Sequence, residues 1–234
     1  SFLDELALPA PPPATSRLDS AASTNYADGW QPGDAGGSGL ESWVLRTNGA
    51  STGFFVWSST NNGSKGSPHI DTNGVSWGMY ASGNAYATAF RGFGGPLETN
   101  EDLTLAMDNG WIDNGQTVGV VFRNQNTNTG VANYNTGARL EFFFQGGSNA
   151  YFVVDSIGRR DTGIGFTDKG LLLRLTRRGG DAYSLSVTRQ DGGSVTTITG
   201  FLGSASAPAL SSLDSVALYN RNAGSGAPYD AYFN

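Results

Sequence analysis

The sequence predicts an all-β fold, a two-sheet antiparallel β-sandwich of jelly-roll type with an extended Pro-rich N-terminal arm. Three observations point there. The 234 residues include 34 glycines and 12% aromatic residues, while charged residues make up only 15%. Short apolar runs recur at spacings of about ten residues, separated by Gly, Asn and Ser clusters. No stretch shows the 3.6-residue periodicity of a helix. Glycine and asparagine accept positive φ at little cost, which suits many tight turns.

The arm is assigned to residues 1–24 and the jelly-roll domain to residues 25–234. Leu3, Leu6 and Leu8 make a short apolar run, and Pro11 and Pro12 lie in a polyproline stretch that follows. Proline fixes φ and favours extended chain. These five residues are the expected assembly elements, packing on their own domain or on a neighbouring copy. Ser1-Phe2-Leu3 carries no initiator Met and no apolar core of a signal peptide. It therefore reads as a mature end left by signal removal, which implies a secreted or cell-surface protein. No run of about 20 apolar residues occurs, so no helical membrane insertion is expected.

Strands are expected at 43–45, 54–57, 76–80, 86–90, 103–107, 117–123, 140–144, 151–154, 171–175, 183–188, 195–198 and 216–219, with a short last one at 232–233. In Tyr183-Ser184-Leu185-Ser186-Val187-Thr188 strict alternation aims Tyr183, Leu185 and Val187 at one face. Asp191-Gly192-Gly193 reads as the hairpin turn after it. The last strand stops early, so an open sheet edge is expected there, a template for a second chain.

Net charge is −6, which argues against a nucleic-acid partner. Arg159-Arg160 and Arg177-Arg178 are the only adjacent basic pairs and read as solvated strand ends. With no cysteine, thiol chemistry is excluded. His69 is the single histidine, too few for a zinc or copper site and without a nucleophile elbow. A glycosidase needs two carboxylates about 5–10 Å apart. Glu141 lies on a strand, but its i+2 and i+4 neighbours are Phe143 and Gln145, so it forms no local pair.

Calcium is the one candidate cofactor, because Asp, Asn and Gly loops supply oxygen ligands. One candidate loop holds Asp108, Asn109, Asp113 and Asn114. A second set is Asp28 and Asp34 with Asp230. Aromatic rings beside amide-rich loops suit sugar stacking, which singles out Tyr26, Trp30, Asn133 and Tyr134 as glycan-binding candidates. Trp43 and Phe142 are assigned to the core.

The runs Val118-Gly119-Val120-Val121-Phe122-Arg123-Asn124 and Leu140-Glu141-Phe142-Phe143-Phe144, with Ala182 to Val187 and Tyr229 to Asn234, carry a family likeness. From residue 25 onward the layout resembles the concanavalin A-like lectin/glucanase superfamily, including laminin-G-like domains. The resemblance implies two curved sheets, a final strand returning beside the first, and calcium where the chain ends meet. Members of that superfamily bind glycans, adhere, hydrolyse glycosides or serve as structure, so the likeness speaks to fold rather than activity. The leading expectation is a non-catalytic extracellular subunit that assembles with copies of itself through the arm and sheet edges. The alternative is a carbohydrate-binding module or lectin-like domain with a polysaccharide partner. A glycosidase or polysaccharide lyase ranks third.

Overall fold

A computed structural model describes residues 17–62, 70–124, 129–203 and 212–234. It contains fourteen strands: β1 (Val44–Thr47), β2 (Thr52–Trp57), β3 (Ser76–Ala81), β4 (Tyr86–Leu97), β5 (Asp102–Asn109), β6 (Thr117–Arg123) and β7 (Ala138–Gln145). The rest are β8 (Ala150–Asp155), β9 (Gly158–Gly165), β10 (Leu171–Arg177), β11 (Ala182–Arg189), β12 (Val195–Phe201), β13 (Leu213–Arg221) and β14 (Ala231–Phe233). They form two seven-stranded antiparallel sheets. The first runs β1-β4-β13-β6-β7-β8-β9 and the second β12-β11-β10-β5-β14-β3-β2. The expected two-sheet sandwich is the observed fold. No helix among the described residues is long and apolar enough to cross a membrane.

The core lies between the sheets. Alternation sends Leu171, Leu173 and Leu175 of β10 and Tyr183, Leu185 and Val187 of β11 inward, opposite Val118, Val120, Phe142 and Leu218 of the first sheet. Each buried aliphatic side chain contributes about 1.5–3 kcal/mol relative to exposure. Strand β6 is buried on both faces, which explains its unbroken apolar run. Its outward residue Val121 joins Phe90, Phe143, Ala217, Tyr134 and Tyr219 in a second apolar layer on the outer face of the first sheet. That layer is the base on which a site can be built.

Residues 17–24 belong to the sandwich. Arg17 pairs with Glu101 at 2.9 Å. Asp19 closes on Arg91 with both side chains only 2% exposed, and Ala21 is in the core. The Ala21 amide donates to the Asn234 side chain at 3.2 Å, so the two ends of the described chain meet. The expected assembly residues Leu3, Leu6, Leu8, Pro11 and Pro12 lie outside the described residues.

Three expectations need correction. The last strand offers no open edge: β14 pairs with β3 on one side and β5 on the other. It is short because it fills a slot inside the second sheet, and it does not return beside β1. Strand β9 was not expected, because Gly158-Arg159-Arg160-Asp161-Thr162-Gly163 lacks apolar residues on both faces. It is an edge strand, where a lone paired side tolerates such a sequence. Finally, Arg159 is exposed as expected, but Arg160 is not a solvated strand end. They sit inside β9 and point to opposite faces, Arg160 closing on the buried Asp155.

A cup on the outer face of the first sheet

Antiparallel register sets one row of outward side chains across the first sheet. Ala217 of β13 lies beside Val121 of β6, then Glu141 of β7, Val154 of β8 and Arg159 of β9. The next rows hold Tyr219, Gly119, Phe143 and Phe152, and then Tyr86, Arg221, Thr117 and Gln145. From these rows Tyr86, Thr117, Glu141, Phe143, Gln145, Val154, Arg159 and Arg221, together with Tyr134 from the 130–137 loop and with Gly115 and Gln116, line a cavity of about 360 Å³. Pockets of roughly 300 Å³ and upward take small ligands.

The floor is a single carboxyl group. The Tyr219 hydroxyl donates to Glu141 Oε1 at 2.6 Å. Burial pushes the Glu141 carboxyl above the usual carboxylate range, and the Tyr219 hydrogen bond, Arg221 and Arg159 pull it back only in part. Gly119 makes this geometry possible. A Cβ there would lie 2.8 Å from the Tyr219 hydroxyl and 2.5 Å from Phe143 Cβ. Glycine thus lets the Tyr219 ring lie over β6.

Two arginines form the walls. The Arg221 guanidinium carbon sits 4.6 Å from the Tyr86 ring centre and 4.8 Å from that of Tyr134, and Arg221 donates to the Tyr134 hydroxyl at 2.8 Å. Arg159 lies over Phe152 at 3.9 Å and Phe143 at 5.1 Å, and donates to Gln145 Oε1 at 2.6 Å. Stacking on ring faces fixes each guanidinium plane while leaving edge N–H groups free to donate. The Tyr134 and Tyr219 phenols are both raised, chiefly by burial and secondly by Glu141. They remain protonated donors at neutral pH.

This arrangement can bind hydroxyls and anions. Glu141 is the only carboxylate lining the cavity among the described residues. An acid–base pair of carboxylates needs a second one across the ligand. A phenol held protonated makes a poor base.

Of the glycan-binding candidates, Tyr134 is in the cup. Asn133 precedes it in the same short turn, and its backbone N–H donates to Gly130. Tyr26 and Trp30 are corrected: each is only 2% exposed. Trp30 packs edge-on against Trp43 at 5.0 Å and Phe54 at 5.3 Å. The Tyr26 hydroxyl accepts from Trp43 Nε1 at 3.1 Å. Their ring faces are spent between the sheets and cannot stack on a sugar. Trp57 and Trp111 are the exposed tryptophans, and Trp111 lies on the loop that also supplies Gly115 and Gln116 to the cup. Trp43 and Phe142 are in the core, as expected.

The calcium candidates do not form a site. Asp108 and Asn109 are consecutive on β5 and point to opposite faces. Asp108 accepts from Asn62 at 2.8 Å, while Asn109 accepts from Tyr151 at 2.8 Å within the core. They cannot chelate one ion with Asp113 and Asn114, both exposed in the loop beyond. In the second set, Asp34 accepts from the Gln31 amide at 2.7 Å and Asp28 is exposed. Asp230 is buried. No group of three or more His, Asp or Glu side chains among the described residues is placed to hold a metal. His69 lies outside the described residues.

Sequence reasoning passed over Glu141, Arg159, Arg221 and Tyr219. Glu141 was set aside because it has no partner along its own strand, yet its partners come from β13 and β9. A charged residue between Leu140 and Phe142 in a doubly buried strand was the available signal.

No family model matches the chain, and no curated protein matches it in sequence. Solved structures do show similarity. The galectin-like protein of unknown function from Bacillus subtilis is 11% identical, with a TM-score of 0.40 over 82% of this chain and 86% of its own. Lectin UEA-II in complex with galactose, from Ulex europaeus, is 10% identical, with a TM-score of 0.37 over 82% of this chain and 98% of its own. A GH54 α-L-arabinofuranosidase is 12% identical, with a TM-score of 0.38 over 69% of this chain, which spans only 38% of that enzyme. At these identities and scores no ligand or activity transfers to this chain. Its two antiparallel sheets establish a β-sandwich and no narrower family.

Proposed function

We propose that this protein is a carbohydrate-binding domain and that the cup around Glu141 is its sugar site. One observation carries the reading: a cavity of sugar size, about 360 Å³, gathers a partly open carboxyl, two guanidiniums, an amide and tyrosine rings on one sheet face. Sugar hydroxyls need paired donors and acceptors, and a site built for them rejects analogues that lack them. Aromatic edges beside those groups suit the apolar face of a pyranose. The reading is non-catalytic, since the cup offers one acid and no base. It includes an extracellular setting, where polysaccharide ligands are met.

The test is a glycan microarray followed by calorimetry on the best ligand. Glu141→Ala and Tyr86→Ala are expected to weaken binding by about tenfold or more, the scale of one or two lost hydrogen bonds to a charged group. Unchanged affinity in both variants would refute the placement. Release of reducing ends from any bound polysaccharide would refute the non-catalytic reading.

A further inference from the structure

The cup carries an unbalanced charge, in a chain whose net charge is −6. Arg17, Arg91, Arg139, Arg160, Arg174 and Arg189 each close on an acid. Arg159 and Arg221 close on none among the described residues. Their hydrogen-bond partners are neutral: Gln145 for the first, the Tyr134 and Tyr86 side chains for the second, with aromatic rings beneath both.

Their placement follows from strand order. Glu141 sits on β7, Arg221 two strands away on β13 and Arg159 two strands away on β9. With strands about 4.8 Å apart, the Arg159 backbone, in the same row as Glu141, lies about 10 Å from it, while the Arg221 backbone, on the other side and four residues further along its strand, lies about 16 Å away. Their long side chains lean over the apolar layer toward the cavity that both line. Two cations and one acid leave the cup positive in either protonation state of Glu141. A guanidinium fork fits a planar carboxylate or a sulfate oxygen pair edge-on. A neutral sugar would use neither fork fully.

We infer that the cup takes an anionic sugar residue, its carboxylate or sulfate ester gripped by Arg159 and Arg221 while a ring hydroxyl donates to Glu141. This inference rests on the sugar-binding reading above and narrows its ligand.

The test is calorimetric titration of the whole chain with three probes: oligogalacturonate, the same oligosaccharide with its carboxyls reduced, and a sulfated galactan oligosaccharide. At low salt the acidic probe is expected to bind about tenfold or more tightly than its reduced form. That preference should shrink at about 0.5 M salt, where exposed charges are screened. Arg159→Gln and Arg221→Gln should each remove most of the preference, lowering the acidic probe's affinity by a larger factor than the reduced probe's. Tight binding of the sulfated probe alone supports the inference and identifies sulfate as the anion. Equal binding of acidic and reduced probes overturns the inference and leaves the sugar site standing. Binding of none of the three overturns both. Should an arginine variant fail to fold, the acidic-to-reduced ratio on the unaltered protein still decides.

Discussion

Asp230 is a buried carboxyl without a donor, and replacing it with Asn tests that reading directly. The residue is 9% exposed and sits just before β14, beside Ser51, Tyr80, Ser82 and the 224–227 turn. No donor among the described residues reaches its carboxyl. Desolvation alone raises its pKa from 3.8 to about 7. The sign follows by linkage. Between those two values the folded protein holds a proton that the unfolded chain has released. Stability from this group is therefore full below 3.8, falls as pH rises, and levels off above about 7. A shift of roughly three units at 1.36 kcal/mol each sets a ceiling of about 4 kcal/mol. Water in the adjoining cavity screens the charge, which lowers the figure to about 2 kcal/mol. Asp230→Asn cannot ionise. At pH 8 it should melt about 4–8 °C above the parent, and the gap should close near pH 3.5. Scanning calorimetry across that range reads both, and the difference between the two proteins cancels every other titrating group. A variant that melts at or below the parent at pH 8 refutes the argument.

Three further outcomes are expected. Asp19→Asn strands the buried guanidinium of Arg91 and should cost about 3–5 kcal/mol, read as a fall in denaturation midpoint at unchanged slope; a change under about 1 kcal/mol would mean that the 17–24 segment is not anchored there. Gly119→Ala forces a methyl against Phe143 and the Tyr219 hydroxyl; it should cost about 1–3 kcal/mol and abolish sugar binding in calorimetry, because Tyr219 loses its place over Glu141. Calcium and EDTA should give the same melting temperature, since the candidate ligands diverge; a rise in calcium beyond about 2 °C would show a site that saturable binding stabilises.

Most of the sandwich was legible because its strands advertise their faces. Tyr183 to Thr188 alternates, and the ladder of β11 follows it. Thr117 to Arg123 is apolar on both sides, and β6 is buried on both sides. What failed was whatever depends on pairing between distant strands. Strand β9 hides in arginine, glycine and aspartate because an edge strand satisfies only one neighbour. Trp30 and Tyr26 looked like ligand platforms because an aromatic beside Asn and Gly reads the same in a surface loop or in a segment tucked between sheets. Only the Trp30–Trp43–Trp77 packing separates the two. Glu141 was judged by its own strand, and its function is written in strand order. Register brings β13 and β9 to either side of β7, and no local pattern encodes that.

The position of β14 has a consequence for how the molecule forms. Ala231–Phe233 is the single ribbon that joins β12-β11-β10-β5 to β3-β2. Until these three residues thread their slot, the second sheet exists as two separate pieces with exposed backbone on each side of a gap. Closure is therefore expected to come as one cooperative step, like a keystone dropping into an arch. Amides on both flanks should therefore gain exchange protection together, and a chain nicked before Asp230 should lose both halves of that sheet at once.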